Sequence, residues 1–317
     1  MAEKNNKAAL LGRMGGLLIL TLSLCACNGL GGPESQLEAA SASAAATISK
    51  LAEVASNPDP RLPARVSLCG EPLDLSRRSV YERLEFEFLR VVNHPAQVAL
   101  WQRRAAQYFP YIEAELRAAG LPEDLKYLAV AESDLRPWVA SPAGALGLWQ
   151  FMPATARHYG VTVNKKIDQR QLPEPLLGAA VRYFKSLKAR FGAWSLAMAA
   201  YNAGDGRIAK ALADQGVSDY FELDLPRETE RYVYRIAAIK VVMENAAHYG
   251  LNIPVPAGQY QGARFSEKSV ELGKAGVQWP QLARQLGCDY KTLRLLNPHI
   301  IQTPLSGAYV VRLPSGG

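Results

Sequence analysis

The first candidate for chemistry is Glu132, a carboxyl group on the apolar face of a predicted helix. Residues 121–136 have helical periodicity, and Glu132 stands seven residues after Leu125 and four after Leu128, on the face that these leucines share. Burial disfavours a charged carboxylate, so we expect a raised pKa and a group able to act as a general acid. A buried glutamate paired with Arg136 is the alternative that this helix leaves open.

The next segment, residues 141–153, favours the catalytic interpretation of Glu132. Gly144 and Gly147 lack a Cβ atom and so let the backbone approach a ligand closely. Gln150 offers a side-chain amide, which can donate and accept hydrogen bonds, to a polar polymer. Together these residue types predict a polar binding groove.

A further edge of the site is predicted at the end of a later apolar segment. Residues 191–200 are apolar nearly all round, which is typical of a helix buried in the centre of a domain. The pattern breaks at Asn202 and Gly204, residue types that tolerate the left-handed conformation of a helix end. Tyr201 therefore stands where a central helix meets a loop, although a core aromatic with a satisfied hydroxyl group is the other interpretation.

Four motifs occur in order between residues 120 and 245: Glu132-Ser133, then 147–153 (Gly-Leu-Trp-Gln-Phe-Met-Pro), 200–204 (Ala-Tyr-Asn-Ala-Gly) and 228–233 (Glu-Thr-Glu-Arg-Tyr-Val). In order and spacing they resemble the motifs of the soluble-lytic-transglycosylase family. The resemblance implies a lysozyme-like, goose-type α fold that cleaves the β-1,4 bond between N-acetylmuramic acid and N-acetylglucosamine in peptidoglycan. It also implies that Glu132 is the sole catalytic acid/base.

The same resemblance implies roles in substrate binding for residues of the other motifs. Ser133 would help to orient Glu132 or the substrate, and Gln150 and Met152 would line the sugar groove. Tyr201 and Asn202 would face the catalytic carboxyl group and an N-acetyl group. Ser133 and Tyr201 are thus expected to hold Glu132 in place.

Glu228 and Tyr232 match the fourth motif, whose residues would support the groove from a later helix. Each also has a structural interpretation. Tyr232 continues an apolar stripe with Ile236 and Ile239, which favours a core position. Glu228, two residues after Pro226, suits the first turn of a helix, where a carboxylate stabilises the positive end of the helix dipole.

One carboxyl group must then do work that most glycosidases divide between two. Asp134 follows Glu132 by two residues, which would place it about 200° around a helix. In the implied mechanism Glu132 protonates the glycosidic oxygen and then takes the proton of the muramic acid 6-hydroxyl group, which closes a 1,6-anhydro ring. No metal or organic cofactor has a binding signature in the sequence.

Two other functions stay open at this stage. A muramidase would hydrolyse the same bond with water and would need a second acid, such as Asp205, to fold into the site. A non-catalytic, lipid-anchored peptidoglycan-binding protein would keep the fold without the chemistry. The complete set of motifs around Glu132 favours the transglycosylase.

The amino terminus predicts export and lipid anchoring. Residues 1–26 have a basic start and a short apolar run, which is typical of a signal peptide rather than a membrane span. The ending Leu24-Cys25-Ala26-Cys27 resembles a bacterial lipobox, with Cys27 as the lipidated residue. Because Asn28 is not the aspartate of inner-membrane retention, we expect an anchor in the outer membrane, facing the periplasm. Residues 27–65 then form a flexible tether to a catalytic domain at 66–252.

The carboxyl-terminal residues 258–317 predict a small separate unit with two short helices split at Gly287 and a final strand. Residues 282–298 resemble the helical part of a LysM peptidoglycan-binding module, but no opening strand is recognisable; a plain structural appendage is the alternative. Whether Cys69 and Cys288 pair is left open. The net charge of +7 comes without a basic cluster interleaved with aromatics, which argues against nucleic acid as a partner.

Overall fold

The computed structural model describes residues 60–252, 254, 262 and 264–315. Helices predominate in this part of the chain: α1 Arg78–Val92, α2 Pro95–Ala118, α3 Lys126–Ser133, α4 Pro153–His158, α5 Pro173–Phe191, α6 Trp194–Ala203, α7 Asp205–Gln215, α8 Arg227–Glu244, α9 Trp279–Leu286 and α10 Tyr290–Leu296. The strands form two antiparallel pairs, β1 Val66–Leu68 with β2 Glu71–Leu73 and β3 Phe265–Val277 with β4 Leu305–Pro314. Three short 3-10 helices, Glu123–Leu125, Gln169–Gln171 and Tyr220–Glu222, complete the regular structure. The predicted mostly α fold with a small C-terminal α+β unit is confirmed. No helix of the described residues is long and apolar enough to cross a membrane.

The central helix of the larger part is α8, which contacts α1, α3 and α6. Its inner face is fully buried at Ile236 and Ile239, and burial of such apolar surface is the main stabilising term in folding. Residues 196–200 of α6 are buried as their continuous apolar sequence predicts. The helix begins at Trp194 rather than at residue 191, because Gly192 adopts a φ of 74° and ends α5.

The helix that carries Glu132 is shorter than the predicted span of 121–136. It consists of the 3-10 turn Glu123–Leu125 followed by α3, and it ends one residue after Glu132. Asp134 and Leu135 end it by adopting the left-handed φ values of 54° and 57°. Glu132 therefore lies in the last turn of a helix, where its side chain can reach beyond the helix end.

Asp134 has a structural role at this helix end. Its carboxylate accepts a hydrogen bond from Nε1 of Trp101 (2.8 Å) and pairs with the guanidinium of Arg136 (2.9 Å). The ion pair between Glu132 and Arg136 that the helix pattern left open is not formed, because Arg136 is engaged by Asp134. The expected rotation of Asp134 about the helix axis also does not apply, since Asp134 lies past the end of α3.

The C-terminal unit is built from β3, α9, α10 and β4. The two predicted helices are present, and Gly287 separates them with a φ of 71°. An opening strand exists where the sequence shows none: β3 pairs with β4 from Phe265 opposite Pro314 onward. The core of the C-terminal unit is a small cluster that includes Trp279, Leu293 and Val311. The strand β3 could not be predicted from the sequence, because most of its side chains are exposed and its residues do not alternate between apolar and polar types.

The C-terminal unit contacts the loop between α4 and α5. The backbone N–H of Asp168 donates to the carbonyl of His299 (2.7 Å), and that of Ile301 donates to the carbonyl of Lys166 (2.9 Å). A salt bridge joins Arg312 to Glu174 (3.2 Å). The two backbone hydrogen bonds hold the unit against this loop, and the salt bridge joins it to the first turn of α5.

Most of the amino-terminal features predicted from the sequence lie outside the described residues. These include the signal peptide at 1–26, the lipidation site Cys27 and the tether as far as residue 59. Of the two described cysteines, Cys69 and Cys288, both are free thiols, so they do not form a disulfide. Burial raises the pKa of the Cys69 thiol, which keeps it protonated and unreactive.

Candidate active site

A groove of about 570 Å³ opens beside Glu132. Residues of α1, α2 and α8 line it. The last turn of α3 provides Ala131 and Glu132, and the following loop adds Ser141 and Gln150. The predicted carboxyl group and the predicted polar loop therefore meet in one groove.

The pKa of the buried Glu132 carboxyl group lies close to neutrality. Burial raises its pKa to about 7, and the negative charge of Glu228 acts in the same direction. A hydrogen bond from Tyr232 and the positive charge of Arg235 oppose this rise but do not cancel it. The Glu132 carboxyl group can therefore hold or release a proton near neutral pH, as a general acid and base must.

Tyr232 is the residue that contacts the candidate catalytic group directly. Its hydroxyl group donates a hydrogen bond to Oε1 of Glu132, across 100 positions of sequence. Its ring is buried on α8, as the core interpretation predicts, and its hydroxyl group lies at the candidate site. The apolar stripe on α8 predicts only the first of these, because it contains no information about which helix faces it.

Ser133 and Tyr201 do not hold Glu132 in the way we expected. Oγ of Ser133 donates to the carbonyls of Ala129 (3.1 Å) and Leu148 (2.9 Å), and the hydroxyl group of Tyr201 donates to the carbonyl of Trp149 (2.6 Å). Both side chains thus fix the backbone of the second motif. Tyr201 nevertheless lies near the candidate catalytic group, since the charge of Glu132 contributes to the raised pKa of its phenol.

Gln150 lines the groove in a constrained conformation. Its φ is 47°, and its Nε2 donates to the carbonyls of Val139 (2.8 Å) and Gly147 (2.9 Å). The amide nitrogen is therefore used to shape the loop. Met152 lies just before α4 with 42% of its surface exposed and is outside the described lining of the groove.

Asn202 and Glu228 line the groove from the ends of two helices. Oδ1 of Asn202, at the end of α6, accepts a hydrogen bond from Oγ1 of Thr229 (2.9 Å), which fixes it against the start of α8. Glu228 lies in the exposed first turn of α8, four residues before Tyr232. It therefore has the position of a helix stabiliser and of a groove residue at once, so both predicted interpretations fit.

A second carboxyl group that the sequence analysis missed is Glu87. It lines the groove from α1, is almost fully buried and pairs with Arg231 of α8 at 2.5 Å. A signal for it exists, because Glu87 lies on the same helical face as Leu84 and Val91. Asp205, the acid considered as a second catalytic group, instead pairs with Arg190 at an exposed position.

The sequence analysis also missed Arg170, which secures the groove loop from outside. Arg170 is buried and makes a two-pronged contact with Asp168, with Nε at 2.9 Å from Oδ1 and Nη2 at 2.7 Å from Oδ2. Its Nη1 donates to the carbonyls of Gly144 (2.7 Å) and Phe151 (2.9 Å). One guanidinium therefore ties together both ends of the segment that contains Gln150.

Gly147 is needed for packing of this loop. A Cβ atom at this position would lie 2.0 Å from the carbonyl oxygen of Arg170, and the φ of 89° also disfavours other residues. The close approach that we predicted for Gly147 is thus to the backbone of the neighbouring loop. In the described part of the chain, no group of three or more His, Cys, Asp or Glu side chains could hold a metal ion.

Comparison with known proteins defines the class of this domain. Residues 109–223 match the Transglycosylase SLT domain, so the chain contains a domain of this type and the resemblance seen in its motifs is confirmed. Among individual proteins, the chain is similar to membrane-bound lytic murein transglycosylase D of Escherichia coli strain K12, with 30% identity over 237 residues. That match covers 71% of this chain and 52% of the relative, so the chain spans about half the length of the curated protein.

Two further matches are to smaller parts of the chain. The soluble lytic murein transglycosylase of Salmonella typhimurium strain LT2 is 37% identical over 86 residues, covering 26% of this chain and 13% of that protein. The solved structure of the 70 kDa soluble lytic transglycosylase from Escherichia coli aligns with a TM-score of 0.40 and 21% identity. That alignment covers 62% of this chain and 34% of the solved one.

Proposed function

We propose that the protein is a lytic transglycosylase that cleaves the β-1,4 bond between N-acetylmuramic acid and N-acetylglucosamine in peptidoglycan. The observation that carries the proposal is the Glu132 carboxyl group. It lies in a groove of about 570 Å³, and its pKa is about 7. The SLT domain and the names of the relatives support the same activity. Residues 66–252 are proposed as the catalytic domain.

In the proposed reaction Glu132 acts twice. Its protonated carboxyl group donates to the glycosidic oxygen while the bond to the muramic acid C1 breaks, and positive charge develops on the sugar ring. The resulting carboxylate then accepts the proton of the C6 hydroxyl group as that oxygen bonds to C1. The product end is a 1,6-anhydro ring, no water is consumed, and Glu132 regains its proton.

Tyr232 and Arg235 would support the charged form of Glu132 between these steps. The Tyr232 hydroxyl group donates to the carboxylate, and the guanidinium of Arg235 is a nearby positive charge in the groove. Ser133, Gln150, Met152, Tyr201, Asn202 and Glu228 are proposed to bind or position the glycan.

The muramidase alternative is less well supported by the described groove. A second carboxylate would have to activate water. Glu87 is engaged by Arg231, so the remaining carboxylate in the described groove lining is Glu228, which lies in an exposed helix turn. Digestion of purified peptidoglycan followed by mass spectrometry separates the two reactions. We expect fragments that are lighter than hydrolysis products by one water molecule; fragments with reducing-end muramic acid would contradict the proposal.

The pH dependence of activity should follow the protonation of Glu132. The free enzyme must start with a protonated carboxyl group, so kcat/KM should fall as pH rises through about 7. In Tyr232→Phe the carboxylate loses a stabilising hydrogen bond, so the pKa of Glu132 rises and the fall should move to higher pH by about one unit. Tyr249→Phe, which loses a remote hydrogen bond to the carbonyl of Arg61 (3.1 Å), is the control. An unchanged midpoint in Tyr232→Phe would show that this hydrogen bond does not tune Glu132.

We also propose that the mature protein is anchored to the outer membrane, facing the periplasm, through a lipid on Cys27, after removal of residues 1–26. Cys27→Ala should move the protein from the membrane fraction to the soluble periplasmic fraction and abolish labelling with a radioactive fatty acid. Cys25→Ala is the matched control and should leave both unchanged. Labelling that persists in Cys27→Ala would place the modification elsewhere.

The C-terminal residues 258–317 are proposed as a LysM-like, peptidoglycan-binding unit. The strand β3, two short helices and the strand β4 give this unit the opening strand that the sequence pattern lacked. The proposed partners of the whole protein are thus peptidoglycan glycan strands and, through the lipid, the membrane.

A further inference from the structure

A second cleft, larger than the catalytic groove, lies between the helical part of the chain and the C-terminal unit. Its volume is about 940 Å³, and we call it the interdomain cleft. Tyr108 and Tyr111 of α2 and Trp138 of the loop after α3 line it from the helical part, and Tyr290 and Leu295 of α10 line it from the C-terminal unit. The catalytic groove and the interdomain cleft share no residue in their described linings.

Several large apolar side chains are exposed in the cleft. Trp138 is 64% exposed, Leu295 is 69%, Tyr290 is 50% and Ile301 is 46% exposed. Single exposed apolar residues are ordinary on protein surfaces, but a concave group of them at a junction between two units is typical of a binding site.

Polar groups converge on the same cleft. Tyr108 and Tyr111 line the cleft with their phenol groups. Partial burial raises the pKa of both, so their hydroxyl groups stay protonated and can donate hydrogen bonds. Lys291 and Arg294 supply positive charge, whereas Arg312 is paired with Glu174 (3.2 Å) and Glu267 (3.4 Å). A ligand for this cleft should therefore combine apolar faces with hydroxyl or amide edges and negative charge.

One face of α2 contributes side chains to both the cleft and the catalytic groove. Gln97 and Trp101 line the groove, and Tyr108 and Tyr111 line the cleft. Their spacings of four, seven and three residues place all four on one face of the helix. Trp101 and Tyr108 are separated by about 10 Å along the helix axis, at a rise of 1.5 Å per residue. Between the two sites, Arg104 donates to the carbonyl of Asp134 (2.9 Å), so the loop after α3 covers this stretch of the helix.

We propose that the interdomain cleft is a second glycan-binding site, which binds a glycan strand of peptidoglycan apart from the catalytic groove. The proposal rests on the proposed function, since it takes peptidoglycan as the polymer. A sugar ring presents an apolar face of C–H groups, on which Trp138 and Tyr290 would stack. Its edge of hydroxyl and amide groups would form hydrogen bonds with the hydroxyl groups of Tyr108 and Tyr111. The carboxylates of peptidoglycan would face Lys291 and Arg294.

The test compares long and short glycans. Binding of long, peptide-free glycan strands is measured with the full-length chain carrying Glu132→Gln, alone and combined with Tyr290→Ala or Trp138→Ala. Each added substitution should weaken binding about two- to tenfold, the range for loss of one aromatic contact. Turnover of a short, peptide-free oligosaccharide of alternating N-acetylglucosamine and N-acetylmuramic acid, held by the catalytic groove alone, is measured with Glu132 intact and should not change. Tyr81→Ala, an exposed tyrosine on α1 outside both sites, is the matched control.

The two proposals fail in different ways. If Tyr290→Ala and Trp138→Ala bind long strands as tightly as the control, or if only free stem peptides compete for the cleft, the second glycan site is wrong. If these variants lose affinity while the chain with an intact Glu132 cleaves no glycan, the second site stands and the proposed activity fails. Equal losses in Tyr81→Ala would show that the effect is not specific to the cleft, and would overturn the inference.

Discussion

Replacement of Glu132 by glutamine is expected to lower the turnover of peptidoglycan by about 10²–10⁴-fold, the range for loss of general acid-base catalysis. Glutamine keeps the shape of the side chain, and its carbonyl oxygen can still accept the hydrogen bond from Tyr232. It cannot donate a proton to the glycosidic oxygen or take one from a hydroxyl group. Turnover is measured as the release of soluble fragments from purified sacculi.

The fold should survive this substitution. Burial of the Glu132 carboxyl group disfavours its charged form, so a neutral amide removes a desolvation penalty without removing a packing contact. We therefore expect an unchanged or slightly higher Tm for Glu132→Gln. A fall in Tm that matched the loss of activity would point to unfolding in place of lost chemistry.

Asp134→Asn is the matched control, because it makes the same chemical change two residues away. Asparagine tolerates the left-handed conformation at this helix end and can still accept the hydrogen bond from Trp101. The lost ion pair with Arg136 is partly exposed and should cost about 0–1 kcal/mol. Near wild-type turnover in Glu132→Gln, or an equal loss in Asp134→Asn, would overturn the assignment of Glu132.

The sequence could predict those features that depend on local periodicity. The position of Glu132 follows from its spacing to Leu125 and Leu128, and both leucines are fully buried as expected. The central helix α6 follows in the same way from its apolar residues. The exact ends of these helices could not be predicted, because they depend on glycine and left-handed residues whose φ values tertiary contacts determine.

The partners of the site residues could not be predicted, because they come from distant parts of the chain. Tyr232 reaches Glu132 only because α8 packs against α3. Ser133 and Tyr201 were expected at the carboxyl group and instead hold the carbonyls of Leu148 and Trp149. A motif indicates which residues matter, but residue spacing does not specify their hydrogen bonds.

The same limit applies to Arg170, which no motif contains. Its neighbour Asp168 is visible in the sequence only as an acid in a loop. The structure shows that the pair is buried and that the guanidinium spans the segment from Gly144 to Phe151. The groove therefore depends on an ion pair outside the four motifs.

Arg170→Met is expected to destabilise the protein by about 3–5 kcal/mol, since it leaves the carboxylate of Asp168 buried without its partner. The carbonyls of Gly144 and Phe151 lose their shared donor as well, so the loop that contains Gln150 should loosen and turnover should fall. Urea denaturation gives the free energy of unfolding. Arg190→Met is the control, because its ion pair with Asp205 is exposed and should be worth less than about 1 kcal/mol.

A double variant separates the two roles of Arg170. In Asp168→Leu with Arg170→Met no charge remains buried, and such apolar replacements of a buried pair are often neutral. Stability should then largely recover, while turnover should stay low because Gly144 and Phe151 still lack the guanidinium. If turnover recovers together with stability, the ion pair acts only on the fold. If neither single nor double variant changes turnover, Arg170 does not position the groove loop.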